Sequence, residues 1–170
     1  MGYEAPQLHT LIDAEALRRA LTELAQSTSN KAVRRQGALA LIKTAFSEGR
    51  DRIKTCIDAK TISGLAAARA LSALQDAIIQ IIYDFAAEHF YRAKNPTTAE
   101  RITIVATGGY GRGELAPGSD IDLLFVRPFK QTAWGESVIE FILYMLWDLG
   151  LKVGHATRSL PECVRVSKQD

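Results

Sequence analysis

The chain has 170 residues, 47% apolar and 24% charged, a composition that excludes wholesale disorder and supplies enough chain for one buried core. Its net charge of +2, with dispersed basic residues, argues against a nucleic-acid partner, and its two cysteines, Cys56 and Cys163, have neither C-x-x-C nor metal-site spacing. No basic-then-apolar leader opens the sequence, Pro6 breaks the myristoylation pattern that Gly2 begins, and the apolar run AIIQIIYDFAA is interrupted by Gln80 and Asp84; we expect a reduced, cytoplasmic protein with no membrane partner.

The first ninety or so residues read as helices. Asp13 is placed to cap a helix with Leu17, Leu21 and Leu24 on one face. The stretch STSN, residues 27–30, breaks it, and Asn30 caps the next, which carries Val33, Leu39, Leu41, Ile42, Ala45 and Phe46 and runs on toward Ile57. A third starts near Ser63 and presents Leu71, Leu74, Ile78, Ile81, Ile82 and Phe85 as a wide apolar face. The segment KNPTT, Lys94–Thr98, ends it, because proline cannot continue a helix.

The pattern then changes to strands. RITIVAT, Arg101–Thr107, is β-branched and apolar. A glycine-rich stretch leads to DIDLLFV, Asp120–Val126, a second strand. Ala133–Gly150 reads as a helix with Val138, Phe141, Ile142, Met145 and Leu149 inward and Gly150 closing it. Leu151–Ser159 forms a third strand, and Ser159 with Glu162 makes a capping box for a last short helix. The fold class expected is α+β: a helical N-terminal region over residues 1–95, then a small sheet with flanking helices over 96–170.

The string GGYGRGELAPGSDIDLLF, Gly108–Phe125, concentrates the chemistry. Glycines after a strand let the backbone approach an anion, and the N–H groups of a helix start point at it. Gly111-Arg-Gly113-Glu-Leu-Ala116 satisfies the G-x-G-x-x-A form of a dinucleotide fingerprint, yet the next strand follows without a crossover helix and carries its acids at its beginning; this excludes a dinucleotide fold. A P-loop is excluded as well, since no Gly-Lys-Ser/Thr is present. Asp120 and Asp122, two apart in a strand, share one face at roughly 7 Å, while Ile121, Leu123 and Phe125 face the core. Two such carboxylates repel unless a cation lies between them, and Mg²⁺ is bound through one or two carboxylates plus substrate phosphates. Pro-Gly-Ser-Asp is also ordinary turn chemistry, which accounts for Asp120 alone but not for Asp122 inside an apolar strand.

An apolar strand, Gly-Gly, a short helix and Asp-Ile-Asp opening a strand resemble the nucleotidyltransferase superfamily that includes DNA polymerase beta. The fuller string, with residues 105–126 carrying most of the likeness, is similar to the bacterial PII-protein uridylyltransferases. The resemblance implies a small mixed sheet and transfer of UMP from UTP to a tyrosine of a PII-type nitrogen signalling protein, with release of pyrophosphate. It assigns Mg²⁺ to Asp120 and Asp122 as metal-binding catalytic residues. The triphosphate falls to Gly108 and Gly109, with Ser119 as a further donor and Arg112 either neutralising phosphate or simply solvated. Glu114 is expected to pair with Arg112 or cap locally.

Two departures from the family pattern stand out. The superfamily often supplies a third carboxylate from the neighbouring strand, and LKVGHATRS has none; a group from Asp170 or later sequence, two carboxylates sufficing, or His155 as a base are the alternatives, with a structural role for His155 the ordinary reading. His9 and His89 receive no role. Members of the family also carry an HD-type phosphohydrolase and ACT domains, and the chain contains no His-Asp dipeptide, so we expect an N-terminal fragment that is incomplete for activity. The competing readings are a glutamine synthetase adenylyltransferase-like enzyme using ATP, and an inactive module docking partners through the helical arm.

Overall fold

The structure, a computed structural model, describes residues 6–93, 97–128 and 131–168. A one-turn helix α1 (Leu8–Leu11) leads into α2 (Ala14–Ser27), α3 (Lys31–Asp58) and α4 (Gly64–Phe85). Each long helix starts where a short polar side chain takes up orphan amides: Asp13 accepts from Ala16 N, Asn30 from Ala32 N and Val33 N, and Ser63 from Ala66 N. The α4 helix then widens into a π turn, Ala86–Phe90, which seats the Phe90 ring 4.7 Å from that of Phe141. The π turn and α1 were not expected from the sequence.

The helices carry the expected inward residues with one exception. Leu17, Leu21, Ile42, Phe46, Leu74, Ile78, Ile81, Ile82 and Phe85 are buried. Val33 is 51% exposed, because the buried face of α3 is set by Ala38, Ile42, Phe46 and Ile53 and Val33 lies off it. The stretch Gly64–Phe90 is long and apolar enough to cross a membrane by composition, a span the Gln80 and Asp84 argument overlooked. Two-thirds of its most apolar window is nonetheless buried inside the fold, as befits a central core helix.

A sheet of three strands packs on this helical layer: β1 (Thr103–Thr107), β2 (Ile121–Arg127) and β3 (Val153–Ser159), in that order. The central β2 runs antiparallel to β1 and parallel to β3. The parallel pair requires a crossover, which is helix α6 (Ala133–Asp148). Ile121, Leu123 and Phe125 are 1%, 3% and 0% exposed and join one apolar cluster with α4 and with Val138, Ile142 and Met145 of α6. Full burial of a side chain such as Phe125 contributes about 2–3 kcal/mol. Gly150, at φ +81°, ends α6 in the left-handed conformation, and Ser159 with Glu162 closes a capping box on α7 (Leu160–Val166).

The result is an α+β fold with a mixed sheet, as the sequence indicated. Arm and sheet share a single core; at the surface Arg18–Asp84 (2.8 Å) ties α2 to α4 within the arm, and Arg35–Asp148 (2.6 Å) ties α3 of the arm to α6. The division expected at Lys94–Thr98 falls on a segment whose Lys94, Asn95 and Pro96 lie outside the described residues, as does Asp170.

Candidate active site

The glycine-rich stretch forms a short helix, α5 (Gly108–Gly111), directly after β1. Gly113, at φ +70°, closes it: Gly113 N donates to Tyr110 O (2.9 Å) and Glu114 N to Gly109 O (3.0 Å). The chain turns again at Ala116-Pro117-Gly118-Ser119, where Ser119 N donates to Ala116 O (3.1 Å) and Gly118 has φ +80°. Proline then left-handed glycine is the chemistry of a type II turn. The strand begins at Ile121, whose N–H donates to Lys152 O (2.9 Å), one residue later than expected; Asp120 is the exposed residue between turn and strand.

Asp122 is the best-defined member of the site. It lies on the sheet face away from the helices, opposite Thr107 on β1 and Gly154 on β3. Its carboxylate fills the space that side chains would need at two glycines. A Cβ on Gly108 would stand 2.9 Å from Asp122 Oδ2, and one on Gly154 would stand 2.4 Å from Asp122 Oδ1. Gly108 also sits at φ +61°. Alternation along β2 thus sends Asp122 out while it buries Leu123, and the flanking glycines give the exposed carboxylate a seat between β3 and the first turn of α5.

The other expected residues gather at the same end of the sheet. Gly108 and Gly109 open α5 beside Asp122. Arg112 is the C-cap of α5 rather than a member of it; its guanidinium Nη2 comes within 3.8 Å of the point a Gly109 Cβ would occupy. It also forms an exposed ion pair with Glu114 at 3.7 Å, the local pairing expected for that acid. Ser119 and Asp120 are exposed on the approach to β2. Among the described residues there is no group of three or more His, Cys, Asp or Glu side chains placed to hold a metal. His155 does not add to the site: it is in register with Leu123, not Asp122, and its ring lies 6.3 Å from that of Trp147 on α6.

Contacts that the sequence reading missed hold the turn in place. Tyr110 is buried, and its hydroxyl donates to Asp76 Oδ1 of α4 at 2.5 Å. Leu115 N donates to the buried Ser72 Oγ, which itself donates to Ala68 O. Ser72 and Asp76 stand four apart on α4 among other polar residues, Arg69, Gln75, Gln80 and Asp84, so no local pattern singled them out. Gly111 completes the contact, since any Cβ there would lie 2.5 Å from Ala106 O.

Burial, then the Asp76 hydrogen bond and charge, pushes the Tyr110 phenol well above the ordinary tyrosine range. The unfolded phenol ionises near pH 10 while the folded one keeps its proton, so this contribution is present in full below about pH 10 and declines as pH rises further. Tyr110→Phe is expected to cost about 1 kcal/mol at pH 7 and to make the alkaline decline shallower, as read from urea unfolding at pH 7 and 10.5. An unchanged alkaline slope would mean the phenol ionises freely in the fold.

Comparison with known proteins gives one family match and several similar relatives. The family model for glutamate-ammonia ligase adenylyltransferase matches residues 4–141. Bifunctional uridylyltransferase/uridylyl-removing enzymes of two strains of Caulobacter vibrioides are 50% identical over 165 residues, which is 96% of this chain and 17% of theirs. That of Phenylobacterium zucineum is 49% identical over 164 residues, 96% of this chain and 16% of its own length. The chain therefore spans about a sixth of the length of these curated relatives. No solved structure matches it.

Proposed function

We infer the reaction from one premise: the chain belongs to the glutamate-ammonia ligase adenylyltransferase family, whose members are nucleotidyltransferases by name. The reading supported best is transfer of UMP from UTP to a tyrosine hydroxyl of a PII-type signalling protein, in the cytoplasm, with pyrophosphate as the second product. The observation that carries the nucleotidyl chemistry is the Asp122 carboxylate seated between Gly108 and Gly154, beside the backbone amides that open α5. The choice of uridylyl over adenylyl transfer leans on the relatives at 49–50% identity.

In this reading the acceptor oxygen bonds to the α-phosphorus of the nucleotide, the bond to the β-phosphate oxygen breaks, and the acceptor's proton leaves to solvent. Gly108 and Gly109 bring amides to the triphosphate without side chains in the way. Arg112 offsets phosphate charge from above Gly109, exchanging its exposed pairing with Glu114 for the substrate. Two exposed carboxylates suit Mg²⁺, which takes one or two carboxylates plus phosphate oxygens. Asp120 and Asp122 are the groups that would hold it, and when bound it supplies neutralisation of phosphate charge and a more acidic acceptor hydroxyl.

The second reading, adenylyl transfer from ATP, is favoured by the name of the matching family. The two separate in one experiment. With Mg²⁺ and a PII-type acceptor, label from α-phosphate-labelled UTP is expected to enter acceptor tyrosine, and label from ATP is not. Labelling from ATP alone would move the assignment to the adenylyl reading, and Mg²⁺-dependent binding of neither nucleotide would reject both.

A further inference from the structure

A cavity of about 790 Å³ opens between α3 and the turn that leads into Asp120, on the helix side of the sheet and away from the Asp122 carboxylate. Positions 43, 47, 50 and 54 recur at helical spacing, so Lys43, Ser47, Arg50 and Lys54 line one wall. Lys152, just before β3, lines the opposite side. Asp51 also borders the cavity, and Lys54 is committed to Asp58 at 2.8 Å. The cationic rim is therefore Lys43, Arg50 and Lys152, none of which pairs with a carboxylate among the described residues. The Arg50 guanidinium lies 5.6 Å over the Phe46 ring, which with Ile53, Leu71 and Leu115 makes the interior apolar.

Gln75 decides what kind of ligand this cavity suits. It lines the cavity, is 1% exposed, and its amide Nε2 is buried with no hydrogen-bond partner among the described residues. Buried amide donors are rarely left unsatisfied, so this one calls for an acceptor that enters from the cavity. An apolar, aromatic-walled interior with one amide in its lining and cations only at its rim matches a flat heterocycle bearing hydrogen-bonding edges, with an anionic tail. Glutamine amides read such edges.

We propose that the cleft between α3 and the Ala116–Ser119 turn is a second, metal-independent nucleotide site. The base lies against Phe46 and Gln75, and the phosphates meet Lys43, Arg50 and Lys152. Occupancy ties α3 to the turn that precedes Asp120, so a bound nucleotide adjusts one carboxylate of the transfer site from behind. The site goes beyond the transfer reaction and needs neither Asp122 nor Mg²⁺.

The test is calorimetric titration of this chain with UTP and with inorganic tripolyphosphate in EDTA. UTP is expected to bind, tripolyphosphate at least tenfold more weakly. Gln75→Leu is expected to weaken UTP at least tenfold, and the Lys43→Glu, Arg50→Glu double variant similarly, while Asp122→Asn leaves it unchanged. Circular dichroism checks each fold; should Gln75→Leu not fold, the double variant, on exposed side chains, decides. The proposal is overturned if UTP does not bind in EDTA, if tripolyphosphate binds as tightly, if Asp122→Asn removes binding, or if the folded cleft variants bind like the parent. Loss of Mg²⁺-dependent transfer with this binding intact would reject the transfer reading instead.

Discussion

Asp122→Asn is expected to lower Mg²⁺-dependent nucleotidyl transfer on the order of a thousandfold while leaving the melting temperature unchanged or slightly raised. The substitution keeps the volume and removes the charge. Asp122 is exposed on the outer face of β2 and accepts no hydrogen bond or ion pair at its carboxylate among the described residues. Its charge therefore does nothing evident for the fold, whereas a metal and triphosphate would need it. Transfer is followed by incorporation of labelled UMP, and stability by thermal unfolding. Retention of more than a tenth of parental transfer would remove Asp122 from the site, and a large fall in melting temperature would make it a structural residue.

Gly154→Ala is expected to cost about a hundredfold in transfer, since displacing a reacting group by about 1 Å costs that much. The new methyl carbon would stand 2.4 Å from Asp122 Oδ1, closer than any non-bonded contact allows. The carboxylate is the movable partner, because Gly154 is held by the ladder to Asp122's backbone while the side chain can rotate. Stability should change by less than about 1 kcal/mol, because the outer face is open and alanine lacks the flexibility of glycine in the unfolded state. The diagnostic is a transfer rate that falls while the urea midpoint holds. Parental transfer in the alanine variant would show that the carboxylate does not need its present seat.

The contrast between these two positions marks what could be read from the sequence. Helix starts at Asp13, Asn30 and Ser63 were legible because capping is local, and the burial of Ile121, Leu123 and Phe125 followed from two-residue alternation. The same alternation put Asp122 outside. Gly154 was visible only as a strand residue, since its meaning depends on β3 pairing in parallel with β2, a relation 32 residues apart that no local pattern encodes. The alternative of a base at His155, beside its ordinary structural reading, loses support for that reason: the register pairs it with Leu123, and its ring lies 6.3 Å from that of Trp147 on α6. Val33 had the right residue type for a core and the wrong place, because it lies off the face of α3 that Ala38, Ile42 and Phe46 bury. The Tyr110–Asp76 and Leu115–Ser72 bonds join residues 34 and 43 positions apart, beyond the reach of periodicity.

Those last two bonds bear on how the molecule can be dissected. The glycine turn belongs by sequence to the sheet, yet two of its fastenings are in the middle of α4. Excising residues 96–170 would strip the turn of both and uncover the apolar side of β2 at once. A chimera that exchanges one sheet for another has to carry Ser72 and Asp76 with it, so the heritable unit of this site is the sheet together with its central helix.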